Sequence, residues 1–394
     1  MKRILFMHQA SCIGGGSYCL LNVVKAVDKT LFEPVVALKS EGPLAGELRN
    51  LGVDVIIFPD MAAIPYNRGL MRRGSLRAYW AVERSKKGLK QLLTTKKIDV
   101  VYLNNMMLCR YLQSAKECGC KTVIHVREHW PLDEHRRQLE WAKACVYGYA
   151  DMMIAINHYS ASMFPEKEVT IVYDWIDMDS RYKLMPLSEI FGEDMTGKKV
   201  LLYTGGMQRI KGAYEVIRTF VDEIAGKDCR LLVMGFTKEL SGTGKKRKIK
   251  ILMSYLGIPT YEYKVKMLAS RDNRIACIPG MYEIKDVLEQ VDCVVSYFTI
   301  PHANLAMAES IILGTPVIAA RTEEAEEYSL DGKLANLYEM NNLKAYTNSV
   351  KNHLSGNNPK SEMAIEDREN VRMMFSRERN TEVLNKALRE LIKQ

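Results

Sequence analysis

The residues best suited to chemistry fall in three short stretches. Gly14-Gly15-Gly16-Ser17 follows the apolar run Ile4–Met7 and precedes a helical pattern. A strand, a small-residue loop and a helix start let backbone N–H groups approach an anion at the positive end of a helix, although a plain tight turn uses glycines in the same way. The dinucleotide fingerprint needs a third spaced glycine where this chain has Cys19, which argues against a nicotinamide dehydrogenase. The second stretch, Tyr203-Thr204-Gly205-Gly206-Met207-Gln208-Arg209-Ile210-Lys211-Gly212, sets two cations just ahead of a helix. Cations are least welcome there, so Arg209 and Lys211 read as partners of a diphosphate, arginine through forked hydrogen bonds and lysine as a point charge. In the third, Pro301 to Ala319, Glu309 stands inside an otherwise apolar helix. A carboxylate in such surroundings calls for a hydroxyl pair, a cation or a backbone partner, or it forms a structural ion pair.

These stretches need elements to hold them. Ile4–Met7, Pro34–Leu38, Val53–Phe58, Val100–Leu103, Thr122–Val126 and Met152–Ile156 are strand-length apolar runs, with helical patterns in most of the gaps. Polar residues with Pro186, Gly192 and Gly197 occupy Asp177–Lys199, where an interdomain linker is expected. A second alternating series follows: Val200–Thr204, a helix from Tyr214, Leu231–Met234, Ile275–Ile278, a helix from Ile284, Val294–Tyr297, a helix from Leu305 and Pro316–Ala319. The expectation is an α/β chain of two tandem Rossmann-like domains, each a doubly wound parallel sheet, with a cleft between them. Residues 1–180 form the first, 181–375 the second, and 376–394 a closing helix capped by Ser376 that packs back on the first.

Composition narrows the classes. At 394 residues, 47% hydrophobic and 26% charged, the chain is long enough for two cores and too ordinary in composition for broad disorder. A net charge of +9 favours anionic partners, but no nucleic-acid motif accompanies it. The nine cysteines are scattered, with Cys118-x-Cys120 the one close pair; no metal site and a reduced, cytoplasmic protein are expected. No stretch reaches the ~20 apolar residues of a membrane span. The basic stretch 68–97 interleaves Arg72, Arg73, Arg77, Arg84, Lys86, Lys87 and Lys90 with Leu76, Tyr79 and Trp80. That pattern suits either a solvated helix face or peripheral docking on anionic lipid at the inner face of a membrane. For Lys245-Lys246-Arg247-Lys248 a plain surface reading is favoured.

Taken in order, Gly14–Gly16, His125 at a strand end, Asp174-Trp175-Ile176-Asp177, Gly205–Gly212, Gly280-Met281-Tyr282 and Glu309–Ala319 resemble a GT-B glycosyltransferase of family 4, the retaining, metal-independent type common in bacterial polysaccharide and glycolipid assembly. The resemblance spans nearly the whole chain and is most specific at Lys211-Gly212 and at Glu309 through Gly314-Thr315-Pro316. It implies a nucleotide-diphospho-sugar as substrate, no cofactor, and a glycan or lipid-linked acceptor. Donor contacts would come from Gly14, Gly15, Gly16, Gly205, Gly206, Met281, Tyr282, Asn304, Leu305 and Glu309, with Glu309 on the ribose. Arg209 and Lys211 would stabilise the departing diphosphate, and His125 would approach the transferred sugar. Arg127, Glu128, His129 and Trp130 would form an acceptor-facing wall, while Asp174 and Asp177 would shape a turn. The family's first glutamate falls on Pro301, the glycine after it on Asn304, and a customary arginine on Gly206. The missing glutamate bears on donor choice and on catalysis itself, so a catalytically silent nucleotide-sugar-binding scaffold and a GT-B epimerase stand as alternatives.

Overall fold

A computed structural model describes residues 1–12, 14–65, 73–130, 132–177, 186–224, 226–240, 245–281, 284–356 and 364–393, with the backbone alone at 73, 132–135, 245–247 and 255. Two compact units emerge: Met1–Asp177 with Met374–Gln394, and Met178–Met373.

The first unit carries seven strands, β1 (Lys2–His8), β2 (Phe32–Leu38), β3 (Asp54–Ile57), β4 (Val100–Leu103), β5 (Lys121–Val126), β6 (Met152–Ala155) and β7 (Thr170–Ile171), all parallel in the order β3-β2-β1-β4-β5-β6-β7. Strand alternation sends Leu5, Met7, Val101, Leu103, Ile124 and Val126 into one core and Ile4, Phe6, Val100, Tyr102 and Val123 into another. Both faces are therefore covered, which is why these strands read as unbroken apolar runs. The helix Arg377–Leu391, capped by Ser376, belongs to this unit and adds Leu384, Leu388 and Leu391 to the second of these cores.

The second unit has six strands, β8 (Lys199–Tyr203), β9 (Cys229–Met234), β10 (Ile275–Ile278), β11 (Cys293–Val295), β12 (Val317–Ala320) and β13 (Asn336–Tyr338), again parallel, in the order β10-β9-β8-β11-β12-β13. Strand order reverses between β1 and β4 in one unit and between β8 and β11 in the other. In doubly wound sheets, ligands bind beyond the carboxyl ends of the strands at such points. The structure adds β7 and β13 to the strands expected from sequence, and the first helix begins within the glycine stretch, at Gly15. Residues 178–185 of the expected linker lie outside the described residues, and Leu187–Phe191 in its remainder is a short helix.

Candidate functional site

At the reversal in the second unit, the loop after β8 meets the loop after β11. The Thr299 N–H donates to the Ile210 carbonyl at 2.9 Å, and the Tyr203 hydroxyl reaches the carbonyls of Gly206 and Lys211 at 3.1 Å each. Arg209–Lys211 form one 3-10 turn, closed by Gly212 at φ +71°, and the helix Ala213–Glu223 begins next. A Cβ on Gly212 would strike the Tyr297 carbonyl, and one on Gly205 would strike the Tyr203 ring.

Arg209 is exposed and Lys211 half-buried. The Lys211 Nζ lies 5.9 Å from the centre of the Phe298 ring, and among the described residues no carboxylate pairs with it. Burial pulls its ammonium below the usual lysine range. His302, edge-on to Phe298 at 5.7 Å, is pushed down to about 3 by burial and by Lys211. It is therefore neutral at physiological pH and adds no positive charge beside Lys211. Next along the chain, Asn304 caps the helix Leu305–Leu313, its Oδ1 accepting from the Met307 N–H at 3.3 Å. The first N–H groups of that helix, Leu305 among them, have no carbonyls within it. Glu309, one turn on, is half-buried, as is Met281 beyond β10; Tyr282 lies outside the described residues.

Sequence reasoning missed Glu324. It is buried on the helix Glu323–Tyr328 and shares a small cavity with Ser296, Phe298, His302 and Asn304. Its Oε2 has no hydrogen-bond partner, and burial pushes its carboxyl up to about 7. The run Glu323-Glu324 looks like an ordinary acidic helix start, so nothing local marks it.

In the first unit the Gly14–Gly16 turn rests on a buried polar chain. Asn104, just past β4, donates through Nδ2 to His8 Nδ1 at 3.2 Å and to the Gly16 carbonyl at 3.3 Å. His8 Nε2, 3.3 Å from the Ser17 hydroxyl, then carries the ring proton, and burial drives the His8 pKa down to about 3. Arg127 Nε donates to Asn104 Oδ1 at 3.1 Å, its Nη1 pairs with Asp174, and its Nη2 reaches His125 Nδ1 at 3.2 Å. The Tyr102 hydroxyl donates to the same His125 nitrogen at 2.6 Å.

This geometry places His125 and the run from Arg127 to Trp130. His125 is fully buried, with Arg127 and Tyr102 both on its Nδ1. The four residues from Arg127 to Trp130 differ in burial and partners. Trp130 is fully buried in the core, and the Arg127 side chain is buried by its pairing with Asp174. Glu128 accepts from the Met106 N–H at 3.3 Å and is pushed up to about 7 by burial, while His129 stacks on Tyr159 at 3.8 Å. Asp174, expected to shape a turn, serves as the counter-ion of Arg127.

The helices Arg73–Thr95, Tyr111–Glu117 and Leu132–Tyr149 line an open cavity of about 650 Å³ in the first unit, walled by Leu76, Tyr79, Trp80, Trp141, Cys145 and Tyr149. Trp80 is 65% exposed. Lys86 and Arg110, also on its wall, both pair with Glu83. Residues 68–72 of the basic stretch lie outside the described residues. Among the described residues no cluster of three or more His, Cys, Asp or Glu could hold a metal ion, and no helix is long and apolar enough to cross a membrane.

No family model matches the sequence, and no curated protein matches it. Solved structures do. HepE of Anabaena in complex with UDP-glucose aligns over 99% of this chain and 100% of its own, at 17% identity and a TM-score of 0.73. Sucrose-phosphate synthase from Thermosynechococcus elongatus aligns over 100% of both chains at 13% identity and a TM-score of 0.73. A glycosyltransferase from Rickettsia africae aligns over 98% of each at 14% identity and a TM-score of 0.69. The chain has the GT-B fold. On this GT-B scaffold Arg209 sits on the same turn as Lys211, and no carboxylate occupies the position of Pro301.

Proposed function

We propose that this GT-B protein is a glycosyltransferase that moves a sugar from a nucleotide-diphospho-sugar to an acceptor, with retention and without a metal. The observation that carries the reading is Lys211, a half-buried ammonium that no carboxylate among the described residues pairs with, at the strand-order reversal, where a ligand's negative charge would complete it. Breaking the sugar–phosphate bond develops negative charge on the diphosphate. A preorganised cation there lowers the barrier more than one in water would, because burial weakens screening. Arg209 adds a second cation, Glu309 takes the ribose hydroxyls, and the N–H groups at Leu305 bind phosphate oxygens. Gly14–Gly16, Gly205, Gly206, Met281 and Tyr282 keep donor roles. Transfer proceeds on one face, with the leaving phosphate oxygen accepting the acceptor's proton, so no protein nucleophile is required. His125 positions Arg127 rather than touching substrate.

That solved neighbours include one in complex with UDP-glucose supports a uridine nucleotide donor. The aromatic cavity beside Trp80 suits the apolar part of a lipid-linked acceptor, and the cations of Arg73–Thr95 suit an anionic membrane face. Cell-surface polysaccharide assembly is the setting in which such an acceptor is used.

Thermal-shift measurements with UDP-, GDP-, ADP- and dTDP-sugars test the donor. A donor at about a hundred times its dissociation constant adds roughly 2.7 kcal/mol, and no shift with any of them overturns the reading. With the stabilising donor, Lys211→Ala lowers turnover about a hundredfold or more; near-normal turnover refutes the diphosphate role. A shift without transfer identifies a silent scaffold, and conversion of the free nucleotide sugar without acceptor identifies an epimerase.

A further inference from the structure

The helix Lys245–Tyr255 of the second unit has no part in the site above. Its sequence Lys245-Lys246-Arg247-Lys248-Ile249-Lys250 places five cations in six positions, and no acidic residue occurs between Glu239 and Glu262. Lys250 pairs with Glu262 at 2.6 Å and so fastens the helix to its neighbour Tyr261–Ser270. Lys248 is exposed, and among the described residues no carboxylate pairs with it.

Beside these cations lies apolar surface. Ile249, Leu252, Leu256 and Ile258 are 54, 58, 68 and 65% exposed. Ile249, Leu252 and Leu256 are spaced three and four residues apart, which puts them along one side of the helix. Ile251 and Met253 are half-buried by contrast. The run continues past the helix end, where Ile258 is fixed by its N–H donating to the Met253 carbonyl at 2.9 Å. Four large aliphatic side chains in ten residues, held out to solvent on a segment whose sequence carries five cations, satisfy both requirements of an interfacial helix: apolar area to enter the acyl boundary and positive charge to meet phosphate headgroups.

We propose that the helix Lys245–Tyr255, with Leu256 and Ile258, docks this protein on an anionic phospholipid bilayer, the aliphatic stripe entering the acyl boundary and the lysines meeting lipid phosphates. Docking here is independent of the glycosyl-transfer reading and of the Trp80 surface. The test is flotation of the full-length chain with phosphatidylcholine vesicles made with and without phosphatidylglycerol. Binding to the anionic vesicles, loss of binding in high salt, and about tenfold weaker binding for Leu252→Glu and for Lys248→Glu are expected. Leu252→Trp adds an indole whose fluorescence shifts to the blue on the same vesicles. Equal binding of wild type and Leu252→Glu, binding abolished by Trp80→Ala alone, or no binding at all overturns the proposal. Salt-sensitive binding of the chain to RNA that Leu252→Glu leaves untouched, without vesicle binding, does so as well. Unchanged melting temperatures and unchanged nucleotide-sugar shifts in the variants keep the result separate from misfolding and from failure of the donor site.

Discussion

In the second unit burial shifts two ionisable groups, the half-buried Lys211 and the buried Glu324, each toward its neutral form. Burial pulls the Lys211 ammonium below the usual lysine range, which suits the diphosphate role proposed for it, and pushes the Glu324 carboxyl up to about 7, so that Glu324 holds its proton toward neutral pH. Between the ordinary glutamate value of 4.5 and about 7, the folded state binds more protons at Glu324 than the unfolded chain does. Stability from this group is therefore present in full below that window and is lost as pH rises through it, by about 3 kcal/mol. Glu324→Gln is uncharged at every pH, so the variant matches wild type near pH 4 and is the more stable protein near pH 8. Urea midpoints at the two pH values check this, and an equal difference at both removes the assignment. The same scale explains which site residues the sequence reveals. Lys211 is conspicuous because a cation beside a glycine loop contradicts helix electrostatics. Asn104 is not, because its bond to His8 spans 96 residues and exists only once β4 lies beside β1. The burial of His125 is hidden for the related reason that a strand end gives no sign of the Arg127–Asp174 pair beside it.

Loops at the strand ends divide into those whose glycines the fold requires and those whose glycines leave room. Gly212 adopts φ +71°, and an added Cβ would meet the backbone carbonyl of Tyr297, which has no rotamer by which to withdraw. Gly212→Ala combines left-handed strain with that clash. It destabilises the second unit by about 2 kcal/mol or more and displaces the Arg209–Lys211 turn, weakening the nucleotide-sugar shift. Gly14 is extended at φ −178°, and an added Cβ meets nothing within 4 Å. Gly14→Ala leaves the melting temperature within about a degree of wild type. A lost ligand shift in that variant then reports blocked approach of a ligand, and an unchanged shift removes Gly14 from the donor contacts. The long strands are legible because burial on both faces makes them continuous apolar runs. β7, with Thr170–Ile171, and β13, with Asn336–Tyr338, are not; two or three residues at a sheet edge carry too little pattern to separate from a loop.

Across the whole molecule, the chain ends by completing the unit in which it began. The helix Arg377–Leu391 adds Leu384, Leu388 and Leu391 to the core around Ile4, Phe6 and Leu20. Its polar side chains finish open backbone: Asn385 accepts from the Asp28 N–H and donates to the Ala26 carbonyl, both at 2.8 Å, and Asn380 accepts from the Tyr173 N–H at 2.8 Å. Burying three leucines contributes roughly 5–9 kcal/mol, at about 1.5–3 each, which is comparable to the net stability of a typical domain. A chain ending at Phe375 therefore loses the first unit and keeps the second. The two are separable in one spectrum, because Trp80, Trp130, Trp141 and Trp175 all belong to the first unit. Tryptophan emission of the shortened chain is red-shifted and shows no cooperative melt, while the second unit still unfolds in calorimetry. A shortened chain whose tryptophan melt coincides with wild type shows that the helix is dispensable. The milder Leu388→Ala, expected to cost about 3 kcal/mol, moves the tryptophan melt down and leaves the other transition in place, which ties the effect to this contact rather than to the chain's length.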